Sequence, residues 1–570
     1  MKNPDYRKTE LKMKSSTGLK RGELRLLPVV IFLFLTFYLP VAILLMRGLR
    51  ADGNWTFQWL RELFGSGYYR RVFLFTFYQA LLSTILSLIA GLPGGWLFSH
   101  VDFPGKRVAK ALTTIPFILP SILVVLGFIL FWGRQGVVNR VLAGLMNKEA
   151  PIVDVLYSFK AILLAHVFYN FPIALRLIAA WWEGFPENQV EAARTLGASR
   201  LKIFLTVTLP QLLPGLLSAA SLIFLYCFMS FAVILVLGGG PRFSTMEVEV
   251  YRLIKYSLDF GRGAALALTE TVATLFLTFF YIRKEQKNVY TNSVFRKKTA
   301  WRDLEPSQKA GALLYIGLVL LVILGPILTV MVQSFLTRPS RTATAIWSLR
   351  WYREMLSPPG GVSGTAILAE AVRNSLGIAT TTLILTLIIG AYTSWVLSRH
   401  KLKYPGLSES LIMMPMGVSS VVLGIGYLWL MRNGTFGNIH PVFSIICAHT
   451  VIALPFVLRS LTPAMRRIRL DLLDAAKLMG AGGFKRFISI ELPLIRPGLI
   501  SGGAFAFAIS LGEINATLIL SDAGITTIPI AILRLIGTYK FFSACALGTI
   551  LILICLLAFT LIDAFDGWEN

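Results

Sequence analysis

The chain has 570 residues, 55% of them apolar and only 15% charged, with a mean hydropathy of +0.68; yet Lys and Arg number 55 against 29 Asp and Glu, a formal net charge of +26. That much apolar surface excludes a soluble nucleic-acid binder, and the wealth of aliphatic and aromatic residues excludes a disordered chain. Apolar and basic together define a polytopic membrane protein whose cations gather in cytoplasmic loops.

In chain order, residues 1–25 form a basic arm with eight Lys and Arg. Leu26–Met46 follows, 21 residues without a charge, too long for a signal peptide and long enough to span. Five further spans are predicted at Val72–Phe98, Ala111–Trp132, Leu156–Trp181, Leu212–Leu237 and Gly263–Ile282. A basic, structureless linker, 284–309, leads into a second set. Its six spans are Gly311–Phe335, Ser375–Leu397, Ser410–Met431, Val442–Leu461, Ile495–Leu520 and Ala544–Ile562. The expected fold is therefore all-α: about twelve transmembrane helices in two halves of six, residues 26–283 and 310–570. The inside loops Arg283–Lys309 and Arg466–Arg496 carry eight and seven cations, which places both termini in the cytoplasm. The linear positive charge is an orientation signal and needs no nucleic acid to explain it.

The two halves repeat. At an offset of 283, His166 matches His449, Pro172 matches Pro455, Arg176 matches Arg459, and Leu209–Pro210 matches Leu492–Pro493. Upstream the offset is 299, aligning Gly91 with Gly390, Trp96 with Trp395, Pro116 with Pro415 and Gly127 with Gly426. The change of 16 falls in the loop Gly133–Tyr157, where insertion is tolerated. Six spans is an even number, so the halves are parallel repeats.

The strongest motif lies in the loop between the fourth and fifth spans of each half. One copy reads Glu191-Ala192-Ala193-Arg-Thr-Leu-Gly197, the other Asp474-Ala475-Ala476-Lys-Leu-Met-Gly480, each followed by Leu-Pro at the same spacing. Asn188 and Asp471 are expected to cap a short helix, the alanines to offer a small face to a partner, and the glycine to end the helix in a left-handed turn. A second short helix is expected to run to the Leu-Pro, where the next span starts.

Glu-Ala-Ala, three residues, Gly, nine residues, hydrophobic, one residue, Leu-Pro resembles the signature loop of the type I ABC importer permeases. The resemblance covers nearly the whole chain, with Asp474 in place of Glu in the second copy. It implies that Glu191, Ala192, Ala193 and Gly197, and again Asp474, Ala475, Ala476 and Gly480, dock two ATP-binding subunits. It also implies an extracytoplasmic solute-binding protein, and an inner (plasma) membrane location. Fusion of two permeases looks like the thiamine and ferric-iron branch. The strings Gly133-Arg-Gln-Gly136, Leu164-Ala-His-Val-Phe-Tyr-Asn-Phe-Pro172 and Ser230-Phe-Ala-Val resemble the thiamine type.

No Gly-x-x-x-x-Gly-Lys-[Ser/Thr] loop occurs, so ATP and Mg2+ are expected on partner subunits, with no cofactor, metal or catalytic residue in this chain. An ion-coupled secondary transporter with two parallel repeats is the alternative; its signature would be several mid-membrane charges. Candidate path residues are Glu513 and its repeat partner Ser230, Asn515, Gly239 in the turn Gly238–Pro241, and the matched His166 and His449. For Glu513 the other reading is a hydrogen-bonded carboxyl between packed helices. For the histidines it is a satisfied packing contact. Glu270 reads as a packing residue, Arg176 and Arg459 as snorkelling cations, and the four cysteines as packed or lipid-facing thiols.

Overall fold

The computed structural model describes residues 22–51, 53–113, 115–184, 188–287, 298–337, 345–356, 365–432, 440–521 and 524–566. The basic arm up to residue 21 and the middle of the linker, 288–297, lie outside the described residues. Among those described, ten helices are long and apolar enough to cross a membrane, or eleven if one bent pair counts as a span. The helices used below are α1 (Gly22–Arg47), α2 (Gly67–His100), α3 (Ser121–Trp132), α4 (Phe159–Glu183), α5 (Asn188–Thr195), α6 (Leu209–Phe228), α7 (Ala232–Leu237), α8 (Met246–Lys255) and α9 (Phe260–Lys287). They continue as α10 (Pro306–Ser334), α11 (Thr365–Arg399), α12 (Ser420–Arg432), α13 (Pro441–Arg467), α14 (Leu470–Leu478), α15 (Leu492–Gly512), α16 (Asn515–Leu520) and α17 (Phe541–Asp566).

Four predicted spans are not single rods. Ala111–Trp132 breaks after Ile118, and α3 begins at Ser121. Ser410–Met431 is Pro405–Gly417 followed by α12 at an angle of 89°. The fifth span of each half ends early, at Phe228 and Gly512, and resumes as the six-residue helices α7 and α16. Continuous hydropathy hides such breaks because it scores composition and not backbone direction.

The repeat is three-dimensional. A Cβ on Gly91 of α2 would stand 2.6 Å from Ala174 Cβ of α4; one on Gly390 of α11 would stand 2.6 Å from Val457 Cγ1 of α13, the repeat partner of Ala174. Gly215 packs on Trp181 and Gly498 on Ala464, again matched positions. Each glycine lets two helices approach at a distance a side chain forbids.

The chain divides into two compact units that do not follow the two sequence halves. One comprises Arg47–Leu356 and Ile532–Thr549; the other comprises Met1–Met46, Ser357–Ala531 and Ile550–Asn570. The first helix of each sequence half thus belongs to the unit built on the other half. The local chemistry repeats too. In the first unit Gly127 of α3 packs on Pro326 of α10, and Tyr315 Oη donates to Ala90 O at 2.9 Å. In the second, Gly426 of α12 packs on Pro40 of α1, and Tyr427 Oη donates to Thr36 O at 2.7 Å.

Three π-helical turns share one sequence, Phe-x-x-x-x-Leu-Pro: Phe34–Tyr38, Phe204–Thr208 and Phe487–Glu491. In each, the Leu N–H bonds the Phe carbonyl five residues back. The proline that follows lacks an N–H and its ring would strike the carbonyl four residues earlier, so the ladder widens by one residue. The helix survives the proline. The short helix after each Ala-Ala motif therefore runs without interruption into the span, as Arg200–Phe228 in the first half, instead of ending at Leu-Pro.

The linker is not structureless at its end. Thr299–Ala300 (β2) pairs in parallel with Val101–Asp102 (β1), the only such pairing among the described residues. Lys298 Nζ sits 2.8 Å from Glu183 Oε1, the Phe103 and Trp301 rings meet at 6.3 Å, and a full capping box between Glu305 and Gln308 starts α10. Beside this strap, burial pushes the Lys106 ammonium down to about 8, and neighbouring Lys298 adds to the shift. The unfolded chain binds more protons here between pH 8 and 10.5, so this group's penalty on folding is present below about 8 and is relieved as pH rises through that window. Acylation of Lys106 followed by mass spectrometry is expected to show a midpoint near 8 that rises in Lys298→Ala; a midpoint at the ordinary lysine value would contradict the burial described.

Candidate coupling site and translocation path

The two Ala-Ala motifs form matched structures. α5 and α14 are short helices, and each is closed by a glycine in the left-handed region, Gly197 at φ +76° and Gly480 at φ +79°. Around the first, Ala198 N–H donates to Ala193 O at 3.1 Å and Gly197 N–H to Arg194 O at 2.9 Å. Around the second, Ala481 N–H donates to Ala476 O at 2.9 Å and Gly480 N–H to Lys477 O at 3.1 Å. These 6→1 and 5→2 bonds are the Schellman arrangement, which satisfies the last carbonyls and requires a residue at ease with positive φ.

The starts of the helices differ from expectation. Asn188 and Asp471 do not cap: α5 already includes Asn188, and α14 starts at Leu470 with Arg469 before it, making no side-chain cap. Asp471 instead pairs with Arg469 at 2.9 Å on the surface. Glu191 and Asp474 are exposed, as are Ala192 and Ala475, while Ala193 and Ala476 are half-buried. The residue before each glycine is a large apolar one held in the open: Leu196 is 87% and Met479 88% exposed. Both matched positions thus hold a large apolar side chain in the open.

The two fifth-span breaks carry the other candidates. In the second unit Glu513 lies between α15 and α16 and is buried. Its Oε1 accepts from Asn515 N–H and Ala516 N–H, each at 3.0 Å, and its Oε2 from Thr517 N–H at 3.1 Å. This is an N-cap made by a carboxylate: it satisfies the orphan donors of α16 and faces the positive end of that helix. His449 from α13 sits against it, with Nε2 3.4 Å from Glu513 Oε2 and 2.8 Å from Thr517 Oγ1, and Nδ1 2.8 Å from Ser510 Oγ. Asn515 is half-buried and donates to Ser420 Oγ of α12 at 3.0 Å.

The first unit has the same frame in smaller residues. His166 of α4 bridges Ser83 Oγ of α2 and Ser230 Oγ at the break, both at 2.9 Å. Its imidazole is buried, whereas Ser230 is half-buried. Gly239 (φ +70°) is exposed, and a Cβ there would stand 2.8 Å from Tyr157 O, so only glycine fits that turn. Ser83, Ser510, Thr517 and Ser420 were not singled out by sequence; serine and threonine in spans usually bond their own helix backbone, and nothing in the pattern marks these as cross-helix partners. Glu270 of α9 is fully buried, and its carboxyl oxygens make no hydrogen bond among the described residues. Arg176 reaches Lys110 O at 3.4 Å, and the four cysteines are free and buried. Among the described residues no group of three or more His, Cys, Asp or Glu is placed to hold a metal ion.

A multi-pass membrane protein with two parallel repeats, each with a glycine-capped surface helix leading into a Leu-Pro span, is the architecture of an importer's membrane subunit. The chain matches the family described as binding-protein-dependent transport system inner membrane component over residues 83–287 and again over 386–568. It belongs to that family, and is a type I ABC importer permease with two permease repeats fused in one multi-pass inner-membrane chain. Family membership decides against the ion-coupled secondary transporter. The chain is 29% identical over 509 residues to the thiamine transport system permease protein ThiP of Escherichia coli K12, covering 88% of this chain and 90% of that one. It is 27% identical over 500 residues to ThiP of Brucella abortus, with 87% and 88% covered. The putative 2-aminoethylphosphonate transport system permease protein PhnU of Salmonella typhimurium is 28% identical over 257 residues, 45% of this chain and 89% of that one. A solved bacterial ABC transporter chain, involved in the import of alginate, aligns over 49% of this chain with a TM-score of 0.40 and 19% identity.

Proposed function

We propose that this chain carries a thiamine-type solute into the cytoplasm, driven by ATP hydrolysis on two separate ATP-binding subunits that hold the Mg2+ and nucleotide. An extracytoplasmic binding protein delivers the solute. In this reading residues 26–283 and 310–570 are the two permease domains, the termini face the cytoplasm, and α5 and α14 are the coupling helices. The observation that carries it is the matched pair of Schellman-capped helices presenting Leu196 and Met479 to solvent. The thiamine assignment rests on the ThiP relatives, which align along most of both chains.

In each unit the fifth-span break is the candidate path lining. Ser230, Asn515 and Gly239 are open enough to touch the solute, whereas His166, His449 and Glu513 hold the breaks in place. In a strain lacking its own thiamine importer, expression of this chain with its ATP-binding and solute-binding partners is expected to restore uptake of labelled thiamine and to leave ferric-iron uptake unchanged. Iron uptake without thiamine uptake would reassign the solute while keeping the mechanism.

A further inference from the structure

The first compact unit contains a cavity of about 940 Å3 directly under the coupling helix α5. Trp96 and His100 from the end of α2, Trp182 from the end of α4, Arg194 of α5, Arg200 and the linker residue Asp303 line it. The rings form one cluster: Trp96 and His100 stack with centroids 5.5 Å apart, and His100 meets Trp182 edge-on at 5.2 Å. Arg200 has a long, exposed contact with Glu305 at 3.6 Å, too weak to neutralise it.

The matched place in the second unit is built from different residues, with Arg399 where the first has His100 and Arg486 where it has Ile203. There Glu491 is buried, with its carboxylate 3.9 Å from Arg399 and 3.5 Å from Arg486, and Arg25 lies 5.6 Å from the Trp395 ring centre. The second copy supplies its own anion. The repeat partner of Glu491 is Thr208, which lines the cavity of the first copy and carries no charge. The first copy presents Arg194, Arg200 and an aromatic wall around a space with Asp303 at its rim and Glu305 against Arg200.

We propose that this cavity binds a small soluble aromatic anion, such as a phosphorylated heteroaromatic compound. Its anionic group meets Arg194 and Arg200, and its ring lies against Trp96 and His100; a phosphate alone would leave most of the volume empty. Because Arg194 belongs to α5, an occupant ties the coupling helix to the ends of α2 and α4 and slows coupled ATP hydrolysis. This regulatory effect rests on the coupling role proposed above; the binding does not.

The test is cysteine protection on the full-length protein in phosphatidylcholine nanodiscs. All four native cysteines are buried, so Asp303→Cys provides one exposed thiol at the rim. Phenyl phosphate and thiamine monophosphate at saturation are expected to slow its maleimide labelling roughly tenfold, the factor 1 + [L]/Kd at about ten times Kd. Arg194→Gln with Arg200→Gln, or Thr208→Glu alone, is expected to abolish the protection without changing the unprotected rate. Thermal unfolding of each variant checks that loss of protection is not misfolding. No protection by either compound would overturn the proposal. So would equal protection by inorganic phosphate, or protection by phosphatidylglycerol discs with no soluble probe, which would assign the site to a lipid headgroup. Labelling is read without ATP or transport, so its failure is distinct from failure of the proposed function.

Discussion

Replacing Leu196 and Met479 together by aspartate is expected to prevent assembly with the ATP-binding subunits while leaving the permease folded. Both side chains are almost entirely in solvent, 87% and 88% exposed, so the substitution removes no internal contact. Burying an aliphatic side chain at an interface contributes about 1.5–3 kcal/mol. Two of them, each replaced by a charge that would have to be desolvated on docking, amount to a loss of roughly 3–6 kcal/mol, a complex weaker by roughly 150- to 25,000-fold. Co-purification and ATP hydrolysis in nanodiscs read the outcome, with thermal unfolding of the isolated permease as the control. An intact, ATP-hydrolysing complex would remove the coupling role from α5 and α14. Gly197→Ala and Gly480→Ala test the same caps more gently. Each forces a side chain into positive φ at a cost of about 1 kcal/mol and frays the helix end without touching the apolar tip.

The second large effect is expected at Glu513. Alanine there leaves the N–H groups of Asn515, Ala516 and Thr517 without their acceptor inside the membrane. Each orphaned buried donor costs about 1–3 kcal/mol, so Glu513→Ala is expected to lose roughly 3–9 kcal/mol and to collapse expression or detergent stability. Glu513→Ser is expected to recover a substantial part. The first unit already holds its break with Ser230 and His166, and His449 occupies the matched position. Thermal unfolding of the two variants separates a capping role from a purely solute-binding one. If alanine and serine are equally stable and equally inactive, the carboxylate acts on the solute and not on the helix.

Much of the fold is legible in the sequence because the repeat leaves paired marks. Gly91 and Gly390 are close-approach glycines at matched contacts, and Gly197 and Gly480 are left-handed caps where the motif spacing places them. The helix breaks are not legible, since Leu212–Leu237 and Ile495–Leu520 are apolar throughout. What ends α15 is the backbone turn at Glu513 and Ile514, and the only textual hint is an acid inside a span. The helix starts are misread for a different reason. Asn188 and Asp471 are good capping residues by type, but both lie inside their helices. The β1–β2 strap is invisible because two residues per strand carry no periodicity. The partition into compact units is hidden as well: the Gly127–Pro326 and Gly426–Pro40 contacts look like ordinary glycines and prolines until they are seen together.

That partition has a consequence for how the protein is made. Tyr38 of α1 bonds Leu411 across 373 residues of chain. A ribosome adding roughly 5–20 residues per second emits α1 about 20–75 seconds before its partner exists. During that interval α1 sits in lipid with its contacts to Leu411, Gly426 and Tyr427 unmade, a target for degradation or for the wrong neighbour. Were the halves separate polypeptides, the wait would depend on the concentration of the other chain. The covalent linker turns it into a fixed delay with a guaranteed partner, which is a reason, independent of transport, for encoding both halves in one gene.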